Sequence, residues 1–169
     1  MNTPDIQAAS IISPLGRLIL FADQDGIARI ILPGTPLRKD EQRILDRGAG
    51  NHPVLERCCR ELEEYFAGKR RLFSVPARPP GGTLFQRQVW QLLVRIPYGR
   101  TASYGALAEV LGNKKAARAV GRAANANPIP ILVPCHRLIG RDGSLTGFAS
   151  GLTNKSWLLE HEHALPPAS

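Results

Sequence analysis

The nine residues VPARPPGGT, positions 75 to 83, hold three prolines and two glycines. Proline removes a backbone donor and fixes φ, so neither a helix nor a central strand can run through this stretch. The chain must fold as two parts on either side of it. We expect an N-terminal domain over residues 1–75, a linker over 76–82 and a C-terminal domain over 83–169. A length of 169 residues suits one globular domain or two small ones, and the linker decides for two.

In the first part, SIISPLGRLILFADQDGIARIILPG places short β-rich runs between breaks at SPLG and DQDG. That pattern predicts a meander of two or three antiparallel strands. HPVLERCCRELEEYFAGKRR then carries Val54, Leu55, Cys58, Leu62, Tyr65 and Phe66 at helical spacing and stops at Gly68. Cys58 on that face reads as core, because a buried free cysteine behaves as a small hydrophobe. The three cysteines, with Cys58 and Cys59 adjacent, form no disulfide framework, and with His52 as the one nearby histidine they show no metal-ligand spacing. Free thiols and no metal are expected.

The second part opens with TLFQRQVWQLLVRI, where Thr83 can cap a helix whose apolar face is Phe85, Val89, Leu92, Leu93 and Ile96, with Trp90 in the core. After a PYGR turn comes TASYGALAEVLGNKKAARAVGRAANANP. Tyr104, Leu107, Ala108 and Leu111 repeat at helical spacing, Gly112 and Asn113 break the pattern, and Ala116, Ala119, Val120 and Ala123 restart it. This is a helix-turn-helix pattern. On the second helix Lys114, Arg118 and Arg122 fall at i, i+4 and i+8 with Lys115 beside them, while Ala117, Gly121 and Ala124 form a strip with almost no side chain. A cationic stripe next to a small-residue strip suits a polyanion approached closely; alone, each would read as a solvated face and a packing face. The 22 Lys and Arg against 14 Asp and Glu, a net charge of +8, favour nucleic acid. The opening MNTPDIQAAS lacks the features of a signal peptide and no apolar run is long enough to span a bilayer, so a cytoplasmic chain is expected.

The most reactive side chain lies in PILVPCHRLIG, residues 130–140. ILV reads as a buried strand ended by Pro134, which delivers Cys135 at the strand terminus, and Asn127 with Pro128 and Pro130 stiffens the approach. A thiol is only a few per cent thiolate at neutral pH, so a nucleophilic Cys135 needs a base, and His136 is the candidate. Successive side chains in extended structure diverge, so a bridging water or a backbone turn is required between the two. A histidine base wants a carboxylate on its other nitrogen, and Glu160, Glu162 and Asp142 all remain open by spacing.

VPCHRLIG, preceded by AARAVGRAANANPIPI and followed by GSLTGFASGLTNKSWLLEHE, resembles the O6-alkylguanine-DNA alkyltransferase family over residues 83–163. The resemblance implies an α/β (α+β) protein with a small ribonuclease-H-like N-terminal domain and a mainly helical C-terminal domain. The implied activity is that of a methylated-DNA–protein-cysteine S-methyltransferase. Such a protein moves an alkyl group from O6-alkylguanine in DNA to its own Cys135, irreversibly and once, without a cofactor. By the same resemblance His136 is the water-linked base, Glu162 its carboxylate, Asn127 the brace of the connecting segment and Tyr104 the donor to ring nitrogen N3 of guanine. Double-stranded DNA is the implied partner of a monomer, entered from the minor groove with the damaged base flipped out. Arg118 fills the gap in the duplex, and Ala117, Gly121, Arg122, Asn113, Lys114, Lys115 and Ser103 complete the expected DNA contacts. Tyr104, Pro130, Leu138, Phe148, Ala149 and Ser150 are the expected alkylguanine pocket.

Departures from the family pattern are specific. Phe148 stands where many members carry tyrosine and keeps a wall for the base without a hydroxyl. Arg122 is larger and more basic than the small residue often found there, which predicts stronger phosphate binding. The zinc ligands of some relatives are absent, and His161 and His163 read as surface residues. Two other classes compete: a lesion-binding module without transfer, disfavoured by the cysteine itself, and a Cys-His hydrolase, which usually draws its histidine from a distant segment. Which alkyl sizes fit, whether O4-alkylthymine is accepted and whether copies cooperate along DNA stay open.

Overall fold

The computed structural model of the chain describes residues 5–165. The outermost residues of the two expected domains, 1–4 and 166–169, lie outside the described residues. The chain divides between Pro80 and Gly81 into two compact units.

The N-terminal unit is built on a meander. Strands β1 (Gln7–Ser13), β2 (Gly16–Asp23) and β3 (Gly26–Ile31) pair antiparallel in the order β1-β2-β3. Both turns are set by side chains that take up backbone groups: Ser13 Oγ donates to the Gly16 carbonyl and accepts from Leu15 N, and Asp23 Oδ1 accepts from Asp25 N and Gly26 N. Gly16 at φ +118° lies where a Cβ would meet Pro33 at 3.0 Å. Helix α2 (Pro53–Phe66) packs on all three strands with Leu55, Cys58, Leu62 and Tyr65 fully buried. Each such side chain removed from water contributes roughly 1.5–3 kcal/mol.

Helix α1 (Lys39–Arg47) has no counterpart in the sequence reading. Its residues are mostly charged, and only Ile44 and Leu45 reach the Ala8, Ile19, Phe21 and Ile31 cluster on the sheet. It is held instead by Glu41, whose buried carboxylate accepts from Arg38 N and pairs with Arg29 at 2.7 Å and Arg38 at 2.9 Å. The proline-rich stretch is partly structural: Ile27 N donates to Pro76 O and Arg78 N to Ile27 O, both at 2.8 Å, so residues 76–78 run along β3.

In the C-terminal unit, α3 (Leu84–Val94) starts at Thr83, whose side chain accepts from Gln86 N while Gln86 reaches back to Thr83 N. Trp90, 4% exposed, donates from Nε1 to Ala123 O at 2.8 Å. Strand β4 (Ala102–Ser103) leads into α4 (Tyr104–Val110), and a 3₁₀ turn (Lys114–Ala116) leads into α5 (Ala117–Asn125), on which α3 and α4 both pack. A second 3₁₀ turn (Cys135–Arg137) precedes β5 (Leu138–Ile139), which pairs parallel with β4, and α6 (Leu152–His161) closes the unit. Among the described residues no helix is long and apolar enough to cross a membrane.

Candidate active site

The expected strand over Ile131–Val133 does not form. Pro128 and Pro130 have no N–H to offer a ladder, and the chain folds into a tight turn in which Val133 N donates to Ile129 O at 2.9 Å and Ile131 adopts φ +75°. A left-handed β-branched residue costs of order 1–3 kcal/mol and persists only where its surroundings impose it. Asn127 does so: its Nδ2 donates to Val133 O at 2.8 Å and its Oδ1 accepts from Ile129 N at 3.0 Å. Ile129, Ile131, Leu132 and Val133 are buried, so the turn is itself a piece of core.

From this braced turn the backbone enters the Cys135–Arg137 3₁₀ turn, with Cys135 N donating to Val133 O and Arg137 N to Pro134 O. Cys135 and His136 therefore do not sit in extended backbone; a 3₁₀ turn spaces three residues evenly around its axis. Cys135, His136 and Arg137 are all buried, at 8%, 0% and 6% exposure. Leu138 N donates to Cys135 O, and the Leu138 side chain is wholly in the core.

The three carboxylates left open by spacing are separated by the fold. Asp142 accepts from the N–H and hydroxyl of Ser144, and Glu160 accepts from Ser156. Glu162 faces His136, with 2.8 Å between Oε1 and Nε2. The same carboxylate takes two hydrogen bonds from Arg137, Nε to Oε2 at 2.8 Å and Nη2 to Oε1 at 3.0 Å, while Arg137 Nη1 donates to Ile96 O at 2.6 Å. Burial by itself would raise the Glu162 pKa, but the donors on His136 and Arg137 outweigh it and bring the carboxyl down to about 2. Burial lowers the His136 pKa, against the opposing pull of Glu162. The imidazole is thus neutral at rest, with its proton on Nε2 toward the carboxylate and its buried Nδ1 without a hydrogen-bond partner. That Nδ1 is free to take a proton.

Burial also pushes the Cys135 thiol up, opposed by a hydrogen bond with Asn127, by the charge of Lys155 and by the N–H groups of Cys135 and His136. Lys155 and Arg137 escaped the sequence reading. Lys155 is fully buried; its Nζ donates to Thr146 O at 2.8 Å and to Tyr104 Oη at 3.2 Å, and the Tyr104 hydroxyl donates to Thr146 O at 2.7 Å. A legible signal existed: Lys155, Leu158, Leu159 and Glu162 fall at i, i+3, i+4 and i+7, one inward face of α6 and its cap.

Tyr104 also lines a cleft of about 290 Å³ with Ala117, Arg118, Gly121, Asn125 and Thr146. A Cβ on Gly121 would lie 3.6 Å from the Tyr104 ring, in ordinary contact, so it is the missing side chain that keeps the α5 surface beside the ring open. The cationic and small-residue stripes are shorter than the spacing implied. Lys114 sits in the 3₁₀ turn before α5, 4.0 Å from Glu109, leaving Arg118 and Arg122 as the exposed cations of the helix itself. Ala124 is buried, so the small strip is Ala117 and Gly121. Ser103 and Asn113 spend their side chains as caps, accepting from Ala106 N and Lys115 N at 3.1 Å, and Lys115 is exposed. Pro130, Phe148 and Ser150 are half-buried and Ala149 is exposed; Ser150 Oγ is shielded from solvent without a partner. His161 stacks on Trp157, and His163 follows the Glu162 cap as an exposed residue. Cys58 lies in the other unit's core, and no group of three metal-ligating side chains occurs among the described residues. Residues 81–169 carry ten Lys and Arg against four Asp and Glu, residues 1–80 twelve against ten, so the positive charge belongs to the helical unit.

Fold and site together define a mixed α/β protein whose helical unit combines a helix-turn-helix with a buried cysteine backed by a histidine–glutamate couple. Residues 84–164 match the family described as 6-O-methylguanine DNA methyltransferase, DNA binding domain, and residues 7–79 its ribonuclease-like domain. The chain belongs to the methylated-DNA–protein-cysteine methyltransferase family. A member from Methanosarcina acetivorans is 45% identical over 151 residues, covering 89% of this chain and 94% of its own, and the constitutive member from Bacillus subtilis is 42% identical over 89% and 91%. The crystal structure of Mycobacterium tuberculosis OGT in complex with DNA superposes with a TM-score of 0.82 at 38% identity, covering 93% of this chain and 92% of that one.

Proposed function

We propose that this protein repairs DNA by accepting the alkyl group of O6-alkylguanine on Cys135 in one irreversible transfer. The observation that carries the reading is the braced, buried Cys135 turn whose neighbour His136 is neutral, backed by Glu162 and open at Nδ1. The thiol proton passes to His136 Nδ1 through a water, and the imidazolium that forms is met by Glu162. The sulfur attacks the alkyl carbon, the S–C bond forms as the C–O6 bond breaks, and the electron pair leaves with guanine. Tyr104 donates to guanine N3 and relieves that charge, which as general acid catalysis contributes roughly 10² to 10⁴-fold. Lys155, hydrogen-bonded to the Tyr104 oxygen, faces the charge left there; the thiol proton held by His136 passes to solvent and a solvent proton restores the phenol, so the net change moves one proton from sulfur to guanine.

A thioether has no hydrolytic exit, so each molecule reacts once. The reacting carbon is out of reach in stacked duplex, so the nucleotide flips, at a cost of a few kcal/mol offset by backbone contacts. The Ala117 and Gly121 surface of α5 suits a minor groove about 6 Å wide, with Arg118 entering the stack and Arg122, Lys114 and Lys115 near phosphates. Pro130, Phe148 and the backbone of Cys135, Leu138, Ala149 and Ser150 would enclose the base, and one monomer suffices for one lesion.

The test is direct. Wild-type protein mixed with duplex containing O6-methylguanine gains one methyl, and peptide mass spectrometry locates it on Cys135; Cys135→Ala gains none. Methyl on another residue, or repeated turnover by one molecule, refutes the reading.

A further inference from the structure

We propose that Arg141 is a clamp for a phosphodiester of the DNA strand whose nucleotide enters the Tyr104 cleft, a site that the α5 cations do not include. The proposal rests on the reading of DNA as the partner. Parallel pairing of β4 with β5 sets Ser103 beside Ile139, so the chain leaving β5 runs alongside the start of α4. Arg141, two residues on, lays its guanidinium over Gly105: Nη2 is 3.5 Å from the point a Cβ there would occupy, and Ser103 Oγ is 3.9 Å from the same point. Gly105 adjoins Tyr104, whose ring lines the cleft. The guanidinium therefore sits one residue from the wall of the cleft.

The loop that carries it is tied to itself. Gly140 N donates to Ser144 O at 2.8 Å, Gly143 N donates to Gly140 O at 3.0 Å, and Asp142 accepts both the N–H and the hydroxyl of Ser144. A Cβ on Gly140 would meet Asp142 Oδ1 at 2.7 Å, so the loop closes this tightly only on glycine. Two consequences follow. Asp142, the acid next in sequence, is occupied by its own loop and does not neutralise Arg141. Among the described residues no carboxylate pairs with Arg141, which is exposed, whereas Arg137, four residues earlier, is buried against Glu162. An unneutralised planar fork on a short, self-bonded loop, in a unit with ten cations to four anions, matches the geometry of a phosphate oxygen pair.

The experiment measures binding of a duplex bearing O6-methylguanine between about 0.05 and 0.3 M salt for wild type, Arg141→Ala and Arg141→Lys. One lost phosphate contact lowers the slope of log K against log salt by about 0.9 and weakens binding about fivefold near 0.15 M. Arg141→Ala is expected to show both, on damaged and undamaged duplex alike, and Arg141→Lys to keep the wild-type slope. A slope in Arg141→Ala equal to wild type overturns the clamp. An equal loss of methyl transfer from the free base, which carries no phosphate, also overturns it by placing Arg141 in the pocket. Failure of wild type itself to bind duplex would instead strike the reading of DNA as partner.

Discussion

Glu162→Gln tests the electrostatic centre of the helical unit. The carboxylate accepts from His136 Nε2, from Nε and Nη2 of Arg137 and, at 3.5 Å, from Gly99 N. An amide offers one acceptor oxygen, so either His136 and Arg137 Nη2 or the opposite donors must face an NH₂, and Arg137 loses its counter-ion in a buried site. The carboxyl lies at about 2 against an ordinary 4.5, a shift worth about 3 kcal/mol of folding free energy at neutral pH. A depressed carboxyl pKa contributes stability that is whole above the unfolded value and is lost as pH falls through the folded one. The stability gap between wild type and Glu162→Gln is therefore about 3 kcal/mol at pH 7, shrinks below about pH 4.5 and closes near pH 2, where Glu162 carries a proton and resembles glutamine. Urea unfolding at a series of pH values, followed by fluorescence, reads this unit alone, because both tryptophans, Trp90 and Trp157, lie in it. Glu61, also held near 2 against its burial by Ser74, Val75 and Arg57, is common to both proteins and cancels in the difference. A gap that keeps its neutral-pH size down to about pH 3 would show that the charge of Glu162 is not what stabilises the unit.

Two further outcomes are expected. Lys155→Met removes the ammonium that opposes the upward shift of the Cys135 thiol, so alkyl transfer at pH 7 falls about tenfold for each pKa unit by which the thiol rises and recovers as pH is raised; a rate–pH profile superimposable on wild type would refute it. Gly121→Ala places its Cβ in ordinary contact with Tyr104 and removes a helix-interior glycine, so thermal or urea unfolding should show a gain of about 0.5–1 kcal/mol while duplex binding weakens; a variant that is less stable, or that binds as well as wild type, contradicts the open α5 surface.

What could be read from residues alone was local. The β1–β3 meander, the α2 core face with Cys58, the Thr83 cap and the two helices around Gly112 all follow from periodicity and capping within a few positions, where sequence distance equals spatial distance. Helix α1 was invisible because its support is Glu41 and its arginines rather than an apolar face. The resemblance of the Cys135 segment to a known family pointed to the chemistry. It could not reveal the Ile131 turn, which exists because Asn127 binds two backbone groups that an extended chain would hold apart. Likewise, spacing left three carboxylates open for His136, and folding chose Glu162, 26 residues away. Lys155 meets Tyr104 across 51 residues and Arg137 meets Glu162 across 25. Hydrophobic periodicity is a property of neighbours along the chain, whereas a buried charge is tolerated only where a partner has been carried to it, and carrying partners together is the work of the tertiary fold.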